Sequence, residues 1–238
     1  MTERGAGNRR LFLVRHGRVD FDSRQFRTSP RGRQWDPALG STGREQATAL
    51  AARLRLMAPP AGVYVSPFTR CLQTIEPFAN DVGIEPTVDE EVGEVFIGGW
   101  EGLSFEEIIG GNEELARRFR EFEAMFSMAP GGESAAELRE RVVTAVERML
   151  AWHPRGDVLV VTHGGVINAY LAHVLGIDED MFFLPENTSI NTVIVEEERR
   201  RVRFLNDIRH VTDPKVFVPP AGAEGTDRRP DEPAGRPH

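Results

Sequence analysis

The 238-residue chain holds a single cysteine, Cys71, which excludes an intramolecular disulfide and leaves no sign of an oxidising compartment. Long apolar runs are missing as well. None approaches the ~18 residues of a membrane span, and from the charged, glycine-containing stretch Met1 to Arg10 no secretion signal is expected. No membrane partner is expected, and the cytoplasm is the expected location. Nor is positive charge in excess. The formal net charge is −8, which argues against nucleic acid as the main partner, because affinity for it comes from Lys and Arg neutralising phosphates. Any anion has to be met locally. Three motifs are also absent: there is no G-x-S-x-G elbow and no Walker A loop, and Gly5-Ala6-Gly7 precedes the first apolar run where a dinucleotide fingerprint would follow it.

Apolar residues make up 40% of the chain, enough for one substantial core but hardly for two. A single domain over residues 1–218 is expected. From Pro219 to His238 the composition turns to Pro, Gly and charge, which predicts a disordered tail. No solenoid-type repeat is visible, and the remainder alternates between strand and helix patterns. Leu11-Phe12-Leu13-Val14 is apolar without alternation, as in a strand covered on both faces, and stops at Arg15-His16-Gly17. Thr42 with Glu45 spells a capping box, opening a helix through Ala47, Leu50, Ala51 and Leu54. Val63-Tyr64-Val65 reads as a strand, after which Ser66 as N-cap and Pro67 at the first helical position start a helix with Arg70 in its first turn. Ser134 with Glu137 makes another capping box, and Leu138, Val142, Ala145, Val146 and Met149 keep one apolar face. Val158-Leu159-Val160-Val161 ends on Thr162-His163-Gly164-Gly165, and Ser189 to Glu196 and Val202 to Asn206 read as two closing strands around a charged turn. In open parallel sheets ligands bind beyond the carboxyl ends of strands, where helix N-termini offer free N–H groups to anions. The two strands that end on histidines are expected to meet there.

Arg15-His16-Gly17 after a buried strand is the strongest local signal, although a lone strand-end histidine is more often structural. Four further segments follow in order: Ser66-Pro67-Phe68-Thr69-Arg70, Glu94 with Gly98-Gly99-Trp100-Glu101-Gly102, Gly131-Gly132-Glu133-Ser134, and Thr162-His163-Gly164-Gly165. Together with Leu13-Val14-Arg15-His16-Gly17 they resemble the histidine phosphatase (phosphoglycerate mutase-like) superfamily over roughly residues 10–195. Asp36-Pro37-Ala38-Leu39, Gly43-Arg44-Glu45-Gln46-Ala47 and Asn187-Thr188-Ser189-Ile190 look like its structural landmarks. The resemblance implies a three-layer α/β/α fold with a mostly parallel central sheet. It also implies a metal-independent phosphomonoesterase of the histidine acid phosphatase kind, acting through a phosphohistidine on a small phosphorylated metabolite. No cofactor is expected, and the chain is expected to be a monomer or a homodimer.

The residue types fit that chemistry on their own terms. A phosphate monoester is a dianion, so it calls for a neutral nucleophile and for preorganised cations and N–H donors. His16 supplies the nucleophile, and Arg15 and Arg70 can grip phosphate oxygens through planar forks. His163 and Gly164, where a strand gives way to a helix, can donate further hydrogen bonds. By resemblance Glu94 is the acid and base, protonating the leaving alkoxide and later taking a proton from water. Burial beside Trp100 would raise its pKa while neighbouring arginines lower it. Glu91, Glu101 and Glu133 are acidic alternatives. Two histidines and a glutamate also evoke a metal triad, but Arg15 and Arg70 would repel a divalent cation. Cys71 reads as packed in a helix, not catalytic. Helices over about residues 103–130 are expected to cover the pocket mouth, with Phe119, Phe122 and Phe126 on one face and Arg117, Arg118 and Arg120 around it.

The pattern departs from the family just after the Arg-His-Gly signature, where a hydroxyl and an asparagine commonly help to hold phosphate. Val19 and Asp22 stand there. Val19 cannot donate a hydrogen bond, and an ionised Asp22, a candidate loop contact, would repel phosphate unless Arg18, Arg24 or Arg27 neutralised it. The stretch up to Asp36-Pro37 is also longer than usual, which predicts an altered substrate entrance. Two rival readings follow. A phosphoglycerate-type mutase would return the phosphoryl group to its substrate, but the compact Gly98 to Gly102 turn after Glu94 resembles the phosphatases. A phosphate-ligand-binding protein without turnover is the other, motivated by Val19 and Asp22.

Overall fold

The structure, a computed structural model, describes residues 9–121, 128–179, 181–197 and 199–213. The expected tail from Pro219, and Phe122 and Phe126, lie outside the described residues. In chain order the elements are β1 (Arg9–Arg15), β2 (Phe26–Ser29), β3 (Gly32–Trp35), α1 (Ser41–Arg55), β4 (Gly62–Val65), α2 (Thr69–Val82), β5 (Thr87–Val88), α3 (Phe105–Ile109), α4 (Glu113–Arg120), α5 (Ala135–Trp152), β6 (Val158–Thr162), α6 (Gly164–Leu175), β7 (Ile190–Val195), β8 (Arg200–Asp207) and α7 (Arg209–Thr212). Short 3-10 turns lie at Glu90–Val92 and Gly98–Trp100. Among the described residues no helix is long and apolar enough to cross a membrane.

Six strands form one sheet in the order β5-β4-β6-β1-β7-β8. The first four run parallel, while β7 is antiparallel to both β1 and β8. The short turn between β7 and β8 makes that pair antiparallel, since a parallel pair needs a long crossover. Leu11, Leu13, Val158 and Val160 pack beneath α5 and α6, whereas Phe12, Val14, Leu159 and Val161 face α1 and α2. Both faces of the central strands are therefore covered, which is why they read as unbroken apolar runs. The result is the three-layer α/β/α arrangement with a mostly parallel sheet. Arg15 stands level with Thr162, so β1 and β6 end together and set His16 beside His163.

Two expected caps are corrected. No side chain caps α1, which follows Gly40, so the Thr42–Glu45 box does not form. Burial of Ala47, Leu50, Ala51 and Leu54 holds the helix instead; each buried Leu is worth about 1.5–3 kcal/mol, more than the ~1 kcal/mol of a typical cap. Ser66 does not cap α2, which begins at Thr69. Asp36 takes that place from a distant segment, accepting from the Thr69 N–H and hydroxyl at 2.8 Å each. Arg70 falls in the first turn as expected, and the Ser134–Glu137 box at the start of α5 is formed.

Helix α1 lies hard against the backbone that leaves β1. A Cβ on Gly43 would stand 2.0 Å from the Arg18 carbonyl oxygen. Backbone lies on both sides of this contact, so no rotamer can relieve it. Gly43→Ala is expected to lower stability by about 3 kcal/mol, the upper end of overpacking costs, as checked by urea denaturation.

Candidate active site

A cavity of about 360 Å³ opens beyond the carboxyl ends of β1 and β6, within the ~300–1,000 Å³ typical of small-molecule sites. Arg15, His16, Arg70, Glu94 and Gly164 all line it. His163 lies behind them, and Asp22 stays outside.

His16 is pinned by its backbone. Its N–H donates to the Thr162 carbonyl at 2.9 Å, and its own carbonyl accepts from the Asn187 side-chain amide at 3.0 Å. The ring's Nδ1 is 2.8 Å from the Gly17 carbonyl. A carbonyl can only accept, so Nδ1 carries the proton and Nε2 keeps its lone pair. Burial, reinforced by Arg70 and Arg15, pushes this imidazole well below its ordinary pKa. Both effects point to an uncharged ring, the form in which a histidine can act as a nucleophile.

Arg70 lies over the Phe68 ring, 4.4 Å from its centroid, with one terminal nitrogen 3.8 Å from the Asp36 carboxylate. Arg15 donates from one terminal nitrogen to the Pro185 carbonyl, while its buried Nε has no hydrogen-bond partner. A buried unmet donor is costly, and an oxyanion in the adjoining cavity would satisfy it. Burial lowers the Arg15 pKa from its ordinary value, with Glu94 and Glu186 opposing.

His163 has no exposed surface. Its ring edge meets that of His16 with centroids 5.3 Å apart, and Nε2 is 2.7 Å from the Ser66 hydroxyl. That hydroxyl is close enough to the Phe68 N–H to accept from it, at 3.5 Å, which frees its proton for Nε2. The matching tautomer carries its hydrogen on Nδ1, 3.9 Å from the Glu94 carboxylate. Burial, with Arg70 next in weight, pushes His163 well below its ordinary pKa. Cys71 packs 3.5 Å from the same ring, and burial pushes its thiol up to about 12. It is expected to resist iodoacetamide at pH 8 until the protein is unfolded, because the thiolate is the reactive form.

Glu94 faces the cavity with a quarter of its side chain exposed. Desolvation raises its pKa above the ordinary value of 4.5, against the opposing pull of Arg70, the Val95 N–H, Arg15 and Arg141. The three acidic alternatives do other work. Glu91 lies 3.7 Å from Arg31. Glu101 lines the cavity, but its oxygens accept from the N–H groups of Trp35 at 2.8 Å and Ile97 at 3.2 Å. Glu133 is buried in an ion pair with Arg141. Arg141 also donates to the carbonyls of Glu91 and Gly93, holding the segment that carries Glu94. Sequence reading missed Arg141, Ser66 and Gln34, whose amide donates to the Glu94 carbonyl at 3.2 Å. Their sequence separations give no signal of those contacts.

Val19 lines the cavity as an apolar wall, while Asp22 is exposed and its N–H turns back to Asp20. Asp22 is not among the residues that line the cavity, although its neighbour Phe21 is. The longer stretch is the β2–β3 hairpin, which brings Gln34 and Trp35 to the wall. Over residues 103–130 the described helices are α3 and α4, and among the described residues only Ile108 reaches the cavity from there. Arg117 and Arg118 pair with Glu114 on their own helix instead of ringing the mouth.

A neutral histidine with a free Nε2, two guanidinium groups and a carboxyl held toward its protonated form define a phosphoryl-transfer type of site on an α/β sheet. The chain belongs to the histidine phosphatase superfamily (branch 1), which it matches over residues 11–208. It is 30% identical over 207 residues to phosphoserine phosphatase 1 of Hydrogenobacter thermophilus, covering 85% of this chain and 94% of that protein. It is 34% identical over 154 residues to the bifunctional protein Rv2228c of Mycobacterium tuberculosis, covering 65% of this chain but only 41% of that relative's length. Among solved structures, mycobacterial glucosyl-3-phosphoglycerate phosphatase Rv2419c with VO3 superposes with a TM-score of 0.69 at 28% identity, over 83% of this chain and 98% of that one.

Proposed function

We propose that the protein is a phosphomonoester hydrolase that works through a phosphohistidine on His16 and needs no metal. The observation that carries this reading is the pairing of a neutral His16, proton on Nδ1, with a Glu94 carboxyl raised in pKa across the same cavity. Nε2 attacks phosphorus while Glu94 gives its proton to the departing alkoxide. Arg15, Arg70 and the N–H groups at the start of α6 neutralise the phosphoryl oxygens in the transition state. His163 keeps Glu94 and His16 in register and supports the charge that moves between them. Water then attacks the phosphohistidine, and Glu94, now ionised, takes its proton. Phosphate leaves with His16 restored.

The test is release of phosphate from a generic aryl phosphate with chelator present, together with rapid acid-free quenching to look for a phosphorylated protein that is labile to acid and stable to alkali. Chelator-resistant turnover with such an intermediate is expected. A requirement for added metal, or transfer of the phosphoryl group to a second hydroxyl of 3-phosphoglycerate without net phosphate release, would overturn the reading.

A further inference from the structure

Resting on the hydrolase reading of this cavity, we propose that the organic part of the substrate is uncharged and largely apolar, an aryl or arylalkyl group with few hydrogen-bonding groups. Beyond the phosphate end the wall is made by Val19, Phe21, Trp35, Ile97, Trp100 and Ile108. Among the described residues Arg15 and Arg70 are the cations that line the cavity, and both belong to the phosphate end. The wall's acidic groups are Glu94 and Glu101. A second anionic group on the substrate, such as the carboxylate of O-phosphoserine or 3-phosphoglycerate, would find no cation there and two carboxyl groups instead.

Polyhydroxylated substrates fit no better, because a desolvated hydroxyl needs a partner. The wall's polar side chains are turned into the protein. Both Glu101 oxygens accept from backbone N–H groups, the Asn187 amide donates to the His16 carbonyl, and the Gln34 amide donates to the Glu94 carbonyl. The Gln34 Oε1 is different: it is buried and has no partner, and the Asn187 side-chain oxygen is likewise not taken up by the amide's bond to His16. These two acceptors can meet one or two donors of the bound group, far short of what a polyhydroxylated one needs. Phe21 adds a mouth to this apolar wall. It is 65% exposed, with its ring 6.2 Å from that of Trp35, a large aromatic surface that a flat apolar group would cover.

The experiment compares 2-phenylethyl phosphate with O-phosphoserine and 3-phosphoglycerate, all alkyl phosphates, in the native protein and in His16→Ala, Trp100→Ala and Ile108→Arg. The native protein is expected to favour 2-phenylethyl phosphate by about tenfold or more in kcat/KM, the discrimination that apolar pockets achieve, chiefly through KM. Trp100→Ala should erode that preference, and Ile108→Arg, which adds a cation to the wall, should raise kcat/KM for O-phosphoserine. Equal or better turnover of O-phosphoserine or 3-phosphoglycerate by the native protein, lost in His16→Ala, would overturn the substrate class and leave the hydrolase standing. Turnover that survives His16→Ala, or none with any of the three, would overturn the hydrolase reading and the inference with it.

Discussion

His16→Ala is expected to lower kcat by on the order of 10⁴–10⁶-fold, the range seen when a covalent nucleophile is removed and the rest of its site is left in place. The loss should fall on kcat, because Arg15 and Arg70 still bind the phosphate and KM rests on them. The fold should survive: the side chain hydrogen-bonds only to the adjacent Gly17 carbonyl among the described residues, whereas the contacts that fix the loop are backbone bonds to Thr162 and Thr188. The phosphorylated species must disappear with the turnover. A variant that keeps a tenth of native kcat would sink His16 as nucleophile. A second measurement reads the same residue through stability. His16 and His163 have folded-state pKa values well below 6.5, and burial takes His210 down to about 4. At these three sites the unfolded chain binds more protons than the folded one below about pH 6.5, so their contribution to stability falls as pH drops from there. His16→Ala removes one of those groups, so its unfolding free energy should fall less between pH 7 and pH 5 than the native value does.

The parts legible in the sequence were those set by local pattern. Leu11 to Val14 and Val158 to Val161 announced a doubly covered sheet because both faces are buried, and Ser134 with Glu137 announced α5 because a capping box is a local bond pair. The rule that sites lie beyond strand carboxyl ends pointed to His16 and His163, and the resemblance to the histidine phosphatases added Arg15 and Arg70. What stayed hidden depends on distant segments meeting. Asp36 caps α2 across 33 residues, Ser66 turns inward to His163 across 97, and Arg141 grips the Glu94 segment from α5. The β2–β3 hairpin was hidden for another reason: Phe26-Arg27-Thr28-Ser29 and Gly32-Arg33-Gln34-Trp35 hardly alternate, since the hairpin lies outside the main sheet and buries little on a continuous face. Asp22 shows that position in the chain is not position in space: the chain turns at Asp20 to Ser23, so Phe21 lines the cavity and Asp22 does not.

Glu94→Gln is the sharper test of mechanism, since it keeps shape and removes the proton. General acid–base groups contribute about 10²–10⁴-fold, and that loss is expected in kcat for alkyl phosphates, whose leaving oxygen is too basic to depart unprotonated. An aryl phosphate with a nitrophenolate leaving group needs no acid in the first step. Its variant reaction should show a burst of nitrophenol followed by slow turnover, because the phosphohistidine still waits for a base to activate water. The pH profile supplies the sign. Glu94 must start protonated and its pKa is raised by desolvation, so it sets an alkaline limb on the native kcat/KM profile that the variant should lack. A limb that persists in the variant belongs to the substrate or to another group. Stability moves the opposite way to activity. A carboxyl whose folded pKa is raised favours the folded state fully below pH 4.5 and loses that contribution as pH rises through the folded value, where its charge is forced into the cavity wall. Glu94→Gln carries no such charge, so its Tm should exceed that of the native protein at pH 8 and match it near pH 4. A Tm that falls at pH 8 would mean that the arginines, not desolvation, dominate at Glu94, and the carboxyl would then be ionised too early to act as the acid.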